Sequence, residues 1–250
     1  MNQYQDPFLF RTEARIHTYL AGPDRLLSLT GLFNIFQDAA HTQAGLLGWG
    51  YRQLAGMNRL WALLRVRVII ERMPEWDTQV VMETWPKGMK NLFASRDFML
   101  MDPEGNLLVR GTSLWAVLDA DTRRPVKPDL GENVPDGDWR NAIEAVPSKI
   151  AWPGELTRVR SIRVGYNHLD MNRHVNNTRY LEWAQNEFDA EVMDQRRPGE
   201  AEINFLNEVV HDEELEVLRP VSGFLAPVQS AYIRKAADQL PVYALTVKYR

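Results

Sequence analysis

The order of structural signals along this chain of 250 residues repeats itself. A strand-like stretch, an amphipathic helix and a run of further strands occur once before residue 120. The same succession returns after residue 157. A pattern written twice marks two copies of one supersecondary unit, and each copy, at roughly a hundred residues, has the size of an ordinary domain.

In the first copy, Ala14, Ile16 and Thr18 alternate with Arg15, His17 and Tyr19, predicting a strand over 12–19. Leu32, Ile35, Phe36, Ala39 and Ala40 share one face of a helix that Gly45, Gly48 and Gly50 should end. Leu64, Val66, Val68 and Ile70 face away from Arg65 and Arg67 in a half-buried strand. Val80 to Trp85 follows, closed by Pro86-Lys87-Gly88, and 93–101 with 106–118 form a hairpin around Asp102-Pro103-Glu104-Gly105. In the second copy a strand over 158–164 precedes a helix over 177–188, on which Tyr180, Ala184 and Phe188 share a face. Strands over 201–208, 214–219, 225–235 and 241–249 complete it, and in the last Tyr243, Leu245, Val247 and Tyr249 point one way. Overlaying the copies sets Val68-Ile69-Ile70-Glu71 on Phe205-Leu206-Asn207-Glu208, and Glu75 on Asp212.

Between the copies, residues 121–156 carry Pro125, Pro128, Pro135, Pro147 and Pro153. A loop of that length is unusual inside one compact domain, so the stretch reads as a linker with a short helix over 139–145. The expected fold is α+β. Two tandem units, 1–120 and 157–250, each wrap a strongly curved antiparallel sheet, strands following the helix as a meander, around one central helix. Pairing the two sheets would close an edge on each and leave the seam as the place for an elongated pocket.

The densest polar cluster is Asp170-Met171-Asn172-Arg173-His174-Val175-Asn176-Asn177, directly before the second helix. Asn176 or Asn177 is the expected N-cap. Backbone N–H groups over Val175 to Asn177 would gather at the positive end of the helix, a setting suited to a developing oxyanion. The absence of cysteine excludes a thiol nucleophile, a disulfide framework and a thiolate metal site. No Gly-x-Ser-x-Gly occurs, and His17, His41, His168, His174 and His211 show no zinc spacing. The residue inventory therefore favours water activated by carboxylate or amide groups, with no metal and no organic cofactor.

A net charge of −4 excludes a general nucleic-acid footprint. The N-terminal residues lack a secretory pattern, and the apolar run 60–70 is broken by Arg65 and Arg67. A cytoplasmic protein, neither inserted in nor bound to a membrane, is expected. Six basic residues between 149 and 179 (Lys149, Arg158, Arg160, Arg163, Arg173, Arg179) face only Glu155 and Asp170, a local patch able to steer an acidic partner. Gln37, Asp38 and His41 are expected as boundary residues of the first helix. Trp61, Trp85, Phe33 and Phe36 are expected in the core first and along a pocket second.

Leu169 to Asn177, followed by Tyr180 and Trp183, resembles the hot-dog-fold thioesterases, in particular the plant and bacterial acyl-acyl carrier protein thioesterases. Tyr19-Leu20-Ala21-Gly22-Pro23-Asp24, Arg72-Met73-Pro74-Glu75-Trp76, Thr112-Ser113-Leu114-Trp115 and Asp121-Thr122-Arg123-Arg124 resemble further segments of that family. The resemblance implies a double hot-dog enzyme that hydrolyses the thioester of a fatty acyl chain on acyl carrier protein, with the acyl pocket in the first unit. The family's Asp, Asn, His and later Glu fall on Asp170, Asn172, His174 and, through Asn207-Glu208-Val209, Glu208. Plant members have a cysteine after that Glu; here Val209 takes its place, which rules out a thiolate scheme.

Glu208 is then the expected general base or, failing that, nucleophile, its pKa raised by an apolar strand. Asn172 would orient the water or hold the carbonyl oxygen. His174 would orient a partner or protonate the leaving thiolate, and Asp170 would fix the imidazole or the loop. An acyl-CoA thioesterase and a catalytically silent acyl-thioester-binding protein are the alternatives, and monomer and homodimer are both left open.

Overall fold

The computed structural model describes residues 8–127, 140–221 and 227–250, and the chain divides into two compact units, Met1–Pro147 and Ser148–Arg250. The first unit contains β1 (Phe10–Arg15), α1 (Leu29–Leu46), α2 (Tyr51–Gly56), β2 (Arg59–Ile70), β3 (Gln79–Lys90), β4 (Phe93–Met101), β5 (Leu107–Asp119) and the two-residue β6 (Pro125–Val126). Its antiparallel sheet runs β1-β3-β4-β5-β2, with β6 added to the end of β5. The second contains β7 (Leu156–Arg163), α3 (Asn177–Gln185), α4 (Ala190–Gln195), β8 (Pro198–Phe205), β9 (Glu214–Pro220), β10 (Val228–Lys235) and β11 (Pro241–Tyr249). Its antiparallel sheet runs β7-β9-β10-β11-β8, strand for strand the same order. The duplication is therefore one of topology. Only three strands of each unit form the predicted meander, because the strand after the helix lies at the far edge, beside the last strand.

Matching backbone bonds fix how the copies overlay. Leu27 N donates to Pro74 O as Val175 N donates to Val209 O, and Ile16 N to Thr78 O as Val164 N to Glu213 O. Positive φ angles recur at Arg25 and Arg173, and at Asp77 and Asp212. Glu71 N and Leu206 N both donate to the last strand, at Leu108 O and Val242 O. Ile70 thus overlays Phe205 and Asp77 overlays Asp212, two residues away from the expected register. A two-residue slip keeps every side chain on its own face, so hydrophobic alternation is blind to it.

Ser28 caps α1 by accepting from Gly31 N at 2.9 Å, and the helix ends before Gly48, at φ 81°, with Gly45 inside its last turn. Phe36 of α1 stacks on Phe98 of β4 at 4.4 Å between centroids. Its ring also lies over Gly111 of β5, where an added Cβ would come within 2.6 Å of it, so only glycine fits. In β2 the ladder shifts between Leu63 and Arg65; Leu63 is buried and Leu64 only half-buried, against the expected facing. Pro86 does not end β3, which runs on to Lys90. Its partner β1 stops opposite Thr84, so the proline sits where that edge needs no N–H donor.

The stretch expected as a linker is attached to both units in its described parts. Residues 140–143 cross the face of the first sheet that α1 does not cover. Arg140 lies 4.3 Å above the Trp85 ring and pairs with Glu83 at 2.7 Å, Trp85 Nε1 donates to Arg140 O at 2.8 Å, and Ala142 N donates to Asp97 at 2.7 Å. The second unit holds Ile150 N on Asn204 Oδ1 at 2.8 Å and packs Ile150, Trp152 and Leu156 over Leu218, Tyr232 and Ala244. The expected helix over 139–145 is not formed by residues 140–145; Trp139, Pro128, Pro135 and Leu225 lie outside the described residues. Phe33, Phe36 and Trp85 are buried as expected, Trp61 is half-buried, Gln37 is half-buried, and Asp38 and His41 are exposed.

Candidate active site

The polar loop before α3 is built by its own first residue. Asp170 Oδ1 accepts from Asn172 N at 2.8 Å and from His174 N at 3.3 Å, while Asp170 N donates to His174 O at 2.8 Å. Arg173 completes the turn in the left-handed region, at φ 64°. One carboxylate spaced two and four residues from its N–H partners thus sets the loop that presents Asn172 and His174. Asn172 Nδ2 reaches back to Asp170 Oδ2 at 3.5 Å. Of the two N-cap candidates Asn176 fills the position, its Oδ1 accepting from Thr178 N at 3.0 Å and Thr178 Oγ1 at 2.9 Å.

Glu208 meets this loop from the segment that follows β8. The bond from Val175 N to Val209 O, 2.9 Å, ties the loop to the residue after it, and Glu208 Oε2 stands 3.6 Å from His174 Nε2. That separation is beyond a hydrogen bond but leaves room for one water within ordinary reach, about 2.8 Å, of both atoms. Two expectations are corrected here. Glu208 is not in a strand, since β8 ends at Phe205, and its side chain is 36% exposed against 15% for His174, so the apolar strand expected to surround it is absent. The N–H groups of Val175 and Asn176 are not available as an oxyanion hole either, being spent on Val209 O and His168 O. The Asn172 amide and the His174 imidazole are the side-chain donors that the loop presents.

The duplicated scaffold separates structural need from chemistry. Asp170, Asn172, His174 and Glu208 overlay Gly22, Asp24, Leu26 and Met73 of the first unit. There the same turn closes with Gly22 N on Leu26 O at 2.8 Å and with Asp24 Oδ1 accepting from Leu26 N at 3.1 Å. An imidazole and a second carboxylate are therefore not required to form the fold at these positions.

His168 was not singled out by sequence reasoning. It occupies the short 3-10 turn Tyr166–His168, stands edge-on to Trp183 with centroids 5.0 Å apart, and accepts from Gly165 N at Nδ1 over 3.0 Å. Burial first, then the charge of Arg179, lowers its pKa below the ordinary 6.5, with Glu182 opposing. A histidine depressed in the folded state gives stability that is present above 6.5 and lost as pH falls below it. Thermal melts should therefore show wild type losing stability relative to His168→Asn on acidification through that range; parallel curves would contradict the neutral imidazole.

The basic stretch is largely compensated. Arg158 pairs with Glu216 at 3.1 Å, Arg160 with Glu187, Arg163 with Asp212 at 3.3 Å and Arg179 with Glu182 at 2.7 Å. Lys149 and Arg173 are the other two, both exposed. Among the described residues no cluster of His, Asp and Glu could hold a metal ion, and no helix is long and apolar enough to cross a membrane.

With this geometry in place, comparison with known proteins is informative. Residues 7–132 match the model of the acyl-ACP thioesterase N-terminal domain, and residues 154–242 that of the acyl-ACP thioesterase C-terminal domain. A chloroplastic dodecanoyl-[acyl-carrier-protein] hydrolase of Cinnamomum camphora is 29% identical over 234 residues, covering 86% of this chain and 60% of the relative. A chloroplastic palmitoyl-acyl carrier protein thioesterase of Arabidopsis thaliana is 28% identical over 235 residues, covering 88% and 57%. The chain thus spans rather less than two thirds of the length of these relatives. Among solved structures, a 12:0-ACP thioesterase from Umbellularia californica superposes with a TM-score of 0.84 at 25% identity, over 97% of both chains. An acyl-ACP thioesterase from Bacteroides thetaiotaomicron superposes with a TM-score of 0.85 at 23% identity, over 97% of this chain and 98% of that one. The architecture is the double hot-dog expected from the sequence.

Proposed function

This chain belongs to the acyl-ACP thioesterase family, and from that premise we propose that it hydrolyses the thioester linking a fatty acyl chain to acyl carrier protein. The observation that carries the reading is the one-sided chemistry of a duplicated loop: His174 and Glu208 converge in the second unit where the first has Leu26 and Met73.

In the proposed reaction Glu208 takes a proton from a water held within reach of both it and His174, and the water oxygen adds to the thioester carbonyl carbon. The Asn172 amide holds the resulting oxyanion. One such donor is typically worth about 3 kcal/mol of transition-state stabilisation. As the tetrahedral intermediate collapses the carbon–sulfur bond breaks, and the proton taken up by Glu208 passes through the imidazole of His174 to the departing thiolate, which returns both groups to their starting state. Asp170 acts through the loop it holds. No step calls for a metal or an organic cofactor.

The carrier is the finer part of the proposal. Because four of the six basic side chains are ion-paired, steering of an acidic carrier would rest mainly on Lys149 and Arg173, and salt would weaken it. Thiol release measured on acyl-acyl carrier protein and on acyl-CoA of matched chain length tests this directly. Turnover of the carrier-bound substrate with a kcat/KM that falls as salt rises is expected. Equal, salt-independent turnover of acyl-CoA would replace the carrier by coenzyme A, and no turnover of either would overturn the reading.

A further inference from the structure

The site loop has an outer face that the hydrolytic steps leave unused. Asp170, Asn172 and His174 are half-buried, whereas Met171 and Arg173 between them are exposed, Met171 by 64%. The turn that carries both is held at its ends, with Arg173 N donating to Asp170 O at 3.0 Å and Asp170 N to His174 O at 2.8 Å. A single apolar side chain left in water is by itself ordinary. What matters is its place, two residues from a guanidinium and on the loop that presents His174.

Arg173 is also set apart by charge. Arg158, Arg160, Arg163 and Arg179 are each paired with a carboxylate, whereas the Arg173 guanidinium has no ion pair among the described residues. Arg25 holds the matching place in the first unit, at φ 63° against 64°, so the cation alone does not single out this copy. Particular to the second copy are its neighbours: Met171, Asn172 and His174 stand where the first has Pro23, Asp24 and Leu26.

Resting on the hydrolytic reading above, we propose that Met171 and Arg173 bind the phosphopantetheine arm of the carrier, the thioether against its geminal dimethyl group and the guanidinium on its phosphate. In that arm only a methylene and an oxygen separate the dimethyl carbon from phosphorus, so an apolar and a cationic contact side by side are what it needs. Length agrees. About thirteen bonds join the sulfur to phosphorus, roughly 15 Å when extended, the span of a little over four extended residues. One Cα–Cα step of about 3.8 Å and two side chains separate His174 Nε2 from the Arg173 guanidinium, up to roughly 15 Å at full reach. The phosphate can therefore lie on Arg173 while the thioester lies at His174. A guanidinium can hold a phosphate through two parallel hydrogen bonds, which an ammonium at the same place cannot reproduce.

Inhibition of turnover by the two free thiols tests this. With acyl-acyl carrier protein as substrate, at about 0.5 M salt to screen exposed charges beyond about 4 Å, phosphopantetheine should inhibit wild type about tenfold more strongly than pantetheine, the low end for a hydrogen bond to a charged group. Arg173→Gln should abolish that difference, and Arg173→Lys should keep only part of it. Met171→Ser should weaken inhibition by both thiols alike. Arg25→Gln, on the matching turn of the first unit, is the control and should retain the wild-type ratio. Because both side chains are exposed, the variants should melt as wild type does. Equal inhibition by the two thiols in wild type, or a difference that survives in Arg173→Gln, would overturn the proposal while leaving hydrolysis intact. Stronger inhibition by coenzyme A than by holo-acyl carrier protein would overturn the carrier as the source of the arm. A wild type inactive on every acyl thioester would instead overturn the hydrolytic reading.

Discussion

Glu208→Gln is expected to lower kcat by about 10²- to 10⁴-fold, the usual contribution of a positioned general base, with KM and thermal stability close to wild type. The amide keeps the shape and the hydrogen-bonding reach of the carboxylate but cannot accept the proton of the attacking water. Stability should hold because Glu208 lies outside β8 and over a third of its side chain is exposed. His174→Ala should fall in the same range, since the atom 3.6 Å from Glu208 is lost with it. Steady-state kinetics paired with melting curves check both, and an unchanged kcat in Glu208→Gln removes that residue from the chemistry.

Asp97→Ala should have the opposite signature, a loss of about 3–5 kcal/mol in stability, typical of breaking a buried ion pair from one side. Asp97 is fully buried on β4, accepts from Ala142 N at 2.7 Å and stands 3.6 Å from Lys87, itself 8% exposed. Without it the ammonium is buried uncompensated and the 140–143 crossing loses its anchor. Asp97→Asn keeps an acceptor for Ala142 N and should cost less. Burial pushes the Asp97 carboxyl above the ordinary 3.8, against Thr112, Lys87 and the amides of Ala142 and Ile143. A carboxyl raised in the folded state binds more protons there than in the unfolded chain, so the stability it contributes declines as pH rises above 3.8. Denaturant titrations across the acid range should therefore show wild type losing ground to Asp97→Asn with rising pH, and a constant difference would contradict the assignment.

What could be read from the sequence was whatever is local and periodic. The helix over 29–46, the hairpin of β4 and β5, the terminal strand β11 and the duplication itself all announce themselves through alternation or helical spacing. The site loop was legible for a related reason: Asp170, Asn172 and His174 at i, i+2 and i+4 are what one carboxylate needs to close a turn on two backbone N–H groups. Long-range pairing was not legible. The far-edge position of β2 and β8 depends on which strand ends meet, and the two-residue slip between the copies leaves the in–out pattern untouched. The extended crossing at 140–143 is held by Trp85, Glu83 and Asp97, some forty to sixty residues away, with no periodic signal of its own. At the site, counting free N–H groups at a helix start overlooked that Val175 and Asn176 donate within the unit.

The central claim is that water, activated where Glu208 meets His174, attacks the acyl carbon. Single turnover of excess enzyme on acyl-acyl carrier protein in ¹⁸O-labelled water tests it most directly, with mass analysis of both the fatty acid and the peptide containing Glu208. The account predicts one labelled oxygen in the released acid and none in Glu208. Unlabelled acid from the first turnover, with the label in the Glu208 carboxylate, would instead establish a covalent anhydride and contradict it.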